Sequence, residues 1–234
     1  MKKDTVLLFD LDGTLIDSTE AIVGTFKYSF EKLKFDFKGN EEDIKNLIGY
    51  PLDIMYEGLG VPKEDIQLFV STYKNRYKDI SLAQTLLLND AKQSLKLASS
   101  FARLAIVTTK TTKYTIPLLE DMGIMKYFEL IIGRQEVTNP KPHPEPVLKA
   151  IEALSVTLCN TSVYMIGDTK LDLIAATKAG VKGVGVLCGY GKIDDLKQYT
   201  DMVYDTTYQA VASIKEDVSK KFKATYKLYL FRMR

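Results

Sequence analysis

The chain has 234 residues, of which 46% are hydrophobic, and a formal net charge of +2. That length can bury a substantial core in one large domain or in a domain with an insert. The near-balanced charge argues against both a strongly basic nucleic-acid footprint and a strongly acidic surface. The two cysteines, Cys159 and Cys188, form no CxxC pair and have no histidine nearby. They read as structural thiols of a reducing, cytoplasmic compartment, not as a disulfide or a zinc site.

In chain order, the charged start MKKD mimics a leader, but the apolar run Thr5–Phe9 is only five residues long and meets two aspartates. No run approaches the ~18 apolar residues that cross a bilayer, so a soluble protein without a membrane partner is expected. Val6–Phe9 reads as a buried strand, and it ends in FDLDGTL. Residues 16–82 show no strand-like run. Their apolar positions fall at helical spacing: Phe26, Phe30 and Leu33 after the cap candidates Asp17 and Ser18; Ile44, Leu47 and Ile48 after Asn40; Leu52, Met55 and Leu59 after Pro51; Ile66, Phe69 or Val70, Tyr73 and Tyr77. Further short apolar runs follow at Leu104–Val107, Phe128–Ile132, Val163–Ile166 and Val184–Leu187. Between them lie helical stripes such as Val147, Ile151 and Leu154, and Leu171, Ile174, Ala175 and Ala179, the last stopped by Gly180. Short runs without alternation suit strands covered on both faces. Strand–helix alternation therefore predicts an α/β fold, a doubly wound parallel sheet, over 1–15 and 83–234. Residues 16–82 form an inserted helical cap, placed above the carboxyl end of the first strand, where such sheets bind ligands. The tail 217–234 carries six Lys/Arg against one acid and reads as a solvated terminal helix or strand.

Four places bear chemistry. Asp10 and Asp12 end the first strand on the same side of an extended chain. An Asx-type turn explains one of them well and two less well. Thr108 and Thr109, with Lys110 after them, end the Leu104–Val107 strand. Lys141 stands between prolines in NPKPHPEP, whose fixed φ presents it with little freedom; a solvated loop cation is the plainer alternative. His143, the single histidine, reads as turn or surface. Asp168 and Asp172 follow the strand YMIG, one helical turn apart, where a helix cap and an acid on the helix dipole are the plainer reading. Two strands ending in carboxylates can gather several oxygens in one crevice, and an all-oxygen set without His or Cys suits magnesium.

Together FDLDGTLIDS, the strand-end Thr108, the lysine of NPKPHPEP and GDTKLD stand in the order and approximate separations of the haloacid-dehalogenase-like hydrolases. The chain resembles most the phosphoglycolate-phosphatase-like branch, which carries a helical cap after its first strand. The likeness is closest in YFELIIGRQEVTNPKPHPEPVLKAIEALSV and GDTKLDLIAATKAGVKGVGVLCGYG and runs to about residue 215. The resemblance implies Asp10 as a nucleophile that forms an aspartyl-phosphate, and Asp12 as general acid and then base. It implies Mg2+ on the Asp10 carboxylate, the Asp12 carbonyl and Asp168, with Asp172 in support. Thr108 would bond the phosphoryl group and Lys141 balance its charge. Gly13, Thr109 and Lys110 would lie on the phosphate or substrate side, the Gly13 and Thr14 amides facing the site. Asp12 is lacking in dehalogenase members, so its presence favours phosphoryl transfer over carbon–halogen cleavage. The implied substrate is a small phosphorylated metabolite, not a nucleic acid, and monomer and homodimer both stay open. Phosphoglycolate is one candidate. Asp53, near a place where that branch often carries a basic residue, is a poor partner for a carboxylate tail. A sugar-phosphate mutase and a pyrophosphatase are alternatives. A non-catalytic binding protein is disfavoured, because every motif residue is present.

Overall fold

A computed structural model of the protein describes residues 4–232, with side chains through residue 220. The chain opens with β1 (Thr5–Phe9) and a two-residue strand, β2 (Ile16–Asp17). Four helices follow: α1 (Thr19–Lys32), α2 (Glu41–Lys45), α3 (Leu52–Gly58) and α4 (Ile66–Ile80). Then come β3 (Leu86–Leu87), α5 (Ala91–Ser99), β4 (Arg103–Val107), α6 (Thr112–Asp121), β5 (Leu130–Ile132) and α7 (Glu145–Ala153). The last elements are β6 (Ser162–Gly167), α8 (Lys170–Lys178), β7 (Lys182–Val186), α9 (Ile193–Leu196), β8 (Val203–Tyr204) and α10 (Thr207–Arg232).

Six strands form one parallel sheet in the order β5-β4-β1-β6-β7-β8. The apolar runs explain why the sheet is covered on both sides. Alternate residues of each strand go to opposite faces. Leu7, Phe9, Leu104, Ile106, Tyr164 and Ile166 pack with α5, α6 and the start of α10. Val6, Leu8, Ala105, Val107, Val163 and Met165 pack with α7 and α8. Each large apolar side chain so buried contributes roughly 1.5–3 kcal/mol before conformational entropy is charged against it.

The helices α1–α4 bury a cluster of their own around Phe26, Tyr56 and Tyr73. The Phe26 ring lies 4.5 Å from that of Tyr56 and 5.0 Å from that of Tyr73. The chain enters and leaves this group through β2 and β3, which pair antiparallel, Ile16 with Leu87 and Asp17 with Leu86. That pairing corrects the strandless reading of 16–82; two residues are too few to show as a run. β8 escaped for the same reason. The stripe Ile44, Leu47, Ile48 is helical only through Lys45, after which the turn tightens, Leu47 bonding the Ile44 carbonyl and Ile48 that of Lys45. The C-terminal tail is helical as far as Arg232, and its side chains from residue 221 onward lie outside the described residues.

Strand order reverses direction of growth between β1 and β6. A crevice opens there at the carboxyl edge of the sheet, which is where doubly wound sheets place their ligands. β1, β4 and β6 all end at that edge.

Candidate active site

Asp10 directly continues β1: its N–H still donates to the Ile166 carbonyl at 2.9 Å. Leu11 turns into the core and Asp12 follows. The chain then folds back, with the Thr14 and Leu15 N–H groups both on the Leu11 carbonyl. Gly13 takes φ +79°, a conformation natural to glycine, and donates its N–H to Ile16 at 2.8 Å. The Gly13 and Thr14 amides are therefore engaged within the turn and do not face the site as expected. What Gly13 supplies is space, since a Cβ there would lie 2.3 Å from Asp168 Oδ2.

Lys141 is 2% exposed, so the solvated-loop reading is overturned. Its Nζ donates to Asp172 Oδ1 at 2.5 Å and to the Val107 carbonyl at 3.0 Å, and lies 2.9 Å from Asp10 Oδ1. Burial pulls the ammonium's pKa down, but the Asp10 and Asp172 charges outweigh it and the net shift is upward. Burial raises Asp10 to about 7, opposed by Lys141 and reinforced by the Asp172 charge.

Asp168, whose plainer role was a helix cap, is not one. Thr169 occupies the N-cap of α8, and Asp172 Oδ2 accepts from the Thr169 N–H at 3.1 Å and its hydroxyl at 2.8 Å. Asp168 is free to point into the crevice. Its Oδ1 accepts from Thr14 Oγ1 at 3.1 Å and its Oδ2 from the Tyr190 N–H at 2.8 Å. Burial, then the charges of Asp10 and Asp172, push its carboxyl well above the ordinary range. Oxygens of Asp10, Asp168 and Asp172 lie within 4.8 Å of one another, all three side chains buried. Three carboxylates are buried together, and the Lys141 ammonium pairs with two of them, Asp10 and Asp172. The hard oxygen set fits a divalent cation of the magnesium type.

Asp12 sits on the outer side. Its Oδ1 accepts from the Ser18 hydroxyl and lies 3.2 Å from Lys110 Nζ. Lys110 donates in turn to the Tyr77 hydroxyl of α4 at 2.8 Å. Thr108 is buried, and its Oγ1 accepts from the Lys110 N–H. Thr109 turns its hydroxyl away, onto the Gly49 carbonyl at 2.9 Å. A cavity of about 270 Å³ lies between α1–α4 and this edge, lined by Asp12, Thr109 and Lys110 below and by Asp53, Tyr73 and Lys74 above. The structure thus brings Asp10, Lys141, Asp168 and Asp172 into one cluster and sets Asp12 and Lys110 beside it. Sequence reasoning missed Thr14, Ser18 and Tyr77 as partners of these groups, whereas the loop Gly189-Tyr190-Gly191 reads from the sequence as a lining of the pocket mouth.

Residues 7–186 match the model of the haloacid dehalogenase-like hydrolase family. The chain belongs to this family. A phosphoglycolate phosphatase of Colwellia psychrerythraea is 31% identical over 234 residues, covering 92% of this chain and 99% of that one. PpaX of Caldanaerobacter subterraneus, named as a pyrophosphatase, is 32% identical over 185 residues, 79% of this chain and 82% of that one. The solved structure of the haloacid dehalogenase-like protein SP0104 from Streptococcus pneumoniae superposes with a TM-score of 0.81 at 27% identity, over 92% of this chain and all of that one (100%). Within the family this hydrolase is a phosphatase. No helix among the described residues is long and apolar enough to cross a membrane.

Proposed function

We propose that the protein is a Mg2+-dependent phosphatase that hydrolyses the phosphomonoester of a small metabolite through an aspartyl-phosphate on Asp10, under a cap formed by residues 16–82. The observation that carries this reading is the Asp10 carboxylate, buried at the switch point with Lys141 Nζ at 2.9 Å and Asp168 and Asp172 beside it. A carboxylate so placed is fixed for in-line attack. Phosphoryl transfer asks a protein mainly for positioning and charge neutralisation.

An Asp10 oxygen attacks phosphorus, the bond from phosphorus to the leaving oxygen breaks, and Asp12 gives that oxygen its proton. Water then attacks the aspartyl-phosphate at phosphorus, Asp12 takes the water's proton, and inorganic phosphate leaves Asp10 restored. Lys141 holds Asp10 in place and balances charge on the phosphoryl group. Thr108 stands at the end of β4 to bond the same group, and Lys110 and Ser18 fix the Asp12 carboxylate. The Asp10 carboxylate, the Asp12 carbonyl and Asp168 would hold the magnesium, which would supply positive charge for the phosphoryl oxygens when bound. Asp172, whose Oδ1 receives the Lys141 ammonium while its Oδ2 receives the Thr169 N–H and hydroxyl, acts by orienting Lys141. Gly13 contributes room and Thr109 a tie to the cap.

A panel of phosphate compounds with and without Mg2+ tests the reading: phosphoglycolate, sugar phosphates, p-nitrophenyl phosphate and pyrophosphate. Metal-dependent release of phosphate from one or more monoesters is expected. Turnover of pyrophosphate alone, or conversion of a hexose 1-phosphate to its 6-phosphate without phosphate release, would replace it.

A further inference from the structure

We infer that Tyr190 is a positioning residue that ties the Asp168 carboxylate to the first helix of the cap, so that divalent-cation affinity depends on a side chain contact with α1. The inference rests on the proposed role of Asp168 as a metal ligand.

The segment Gly189-Tyr190-Gly191, between β7 and α9, wraps Asp168. A Cβ on Gly189 would lie 2.1 Å from Asp168 Oδ2, and one on Gly191 would lie 1.9 Å from the Asp168 carbonyl oxygen. The backbone therefore passes in contact with Asp168 on both sides of Tyr190. Between those contacts the Tyr190 N–H donates to Asp168 Oδ2 at 2.8 Å. Two flanking glycines leave this segment with more backbone freedom than any other residue pair would. Besides its backbone contacts with Asp168, the segment is held by the one side chain it carries. Among the described residues that side chain has one polar anchor: the Tyr190 hydroxyl is 3.0 Å from Thr19 Oγ1, in the first turn of α1. Its ring packs against the apolar cluster of α1–α4. One residue thus holds a carboxylate oxygen with its backbone and the cap with its hydroxyl. Outer partners of this kind orient ligands, and their loss typically lowers metal affinity about 10–100-fold.

The test measures Mg2+ binding directly, by calorimetry and by the Mg2+-dependent rise in Tm, without substrate. Tyr190→Phe keeps the ring and the N–H and deletes only the hydroxyl; a rise in Mg2+ Kd of at least ~5-fold is expected. Gly189→Ala crowds Asp168 Oδ2 and the Gly13 carbonyl oxygen, so a rise in Mg2+ Kd of at least ~10-fold is expected together with a lower Tm in EDTA. In a cycle with Thr19→Val, which also removes the Thr19 hydroxyl's bond to Asp17 Oδ1, the double variant should bind Mg2+ no worse than the weaker-binding single variant, because both delete the Thr19–Tyr190 contact. Unchanged Kd in Tyr190→Phe, or additive effects in the cycle, would overturn the tie. If the wild type itself binds no Mg2+, the metal reading of Asp168 fails with it.

Discussion

Asp10 is a carboxyl held in a dry place next to two others, and its pKa of about 7 is the result of burial opposed by Lys141. A carboxyl whose folded pKa is raised binds its proton more tightly folded than unfolded. Its contribution to stability is therefore lost as pH rises from ~4 toward 7 and stays lost above that. Asp168, shifted the same way, adds to the slope. In EDTA, the Tm of Asp10→Asn minus that of the wild type should increase between pH 5 and pH 8, by ~3 °C or more, and level off above about 7. Saturating Mg2+ should remove most of that slope. A flat or falling difference in EDTA would show that Asp10 is not the strained group. The residues proposed to act were legible because apolar runs stop abruptly at them: Phe9 before Asp10, Val107 before Thr108, Gly167 before Asp168. Their partners were not. Ser18 on Asp12 and Thr14 on Asp168 exist only once the chain has folded back through Gly13, and nothing in local spacing encodes such contacts.

At the level of elements, α8 does two things with one N-terminus. Thr169 caps it, and Asp172, three residues on, closes the reciprocal bond with Oδ2 while its Oδ1 receives Lys141. Cap and charge relay are thus one structure. Thr169→Ala should lower stability by ~1 kcal/mol in urea unfolding, the usual loss for such a cap. It should also lower kcat several-fold, because Asp172 loses the Thr169 hydroxyl, one of the two bonds that fix its Oδ2, and keeps only the backbone N–H. A loss of stability with unchanged kcat would separate the helix cap from the site. The periodicity of the sequence showed helices and buried strands well, since two-sided burial writes continuous apolar runs. The β2–β3 pair and β8 left no pattern, because elements of two residues are defined by what they pair with.

Across the whole molecule, the proposed reaction centre lies at the sheet edge, and the cavity proposed to receive the leaving group lies between that edge and the inserted helices. The first was written in short motifs along the chain. The second is made from side chains of several helices whose mutual placement no motif records. Asp53 lines that cavity with Lys74, Lys110 and Arg134, so a carboxylate-bearing leaving group bound there is expected to be repelled by Asp53. Asp53→Lys should raise kcat/KM for phosphoglycolate by ~10-fold relative to p-nitrophenyl phosphate, equivalent to ~1.4 kcal/mol. An equal change for both esters would place Asp53 away from the leaving group. The central claim, attack by Asp10 on phosphorus, is tested most directly by trapping. The protein, turning over a monoester with Mg2+, is quenched in acid and treated with borohydride, which reduces an acyl phosphate to the alcohol. Homoserine at position 10 in the mass spectrum of the N-terminal peptide, absent without Mg2+ and absent in Asp10→Asn, is the predicted result. Turnover that persists in Asp10→Asn, or reduction at another carboxylate, would contradict it.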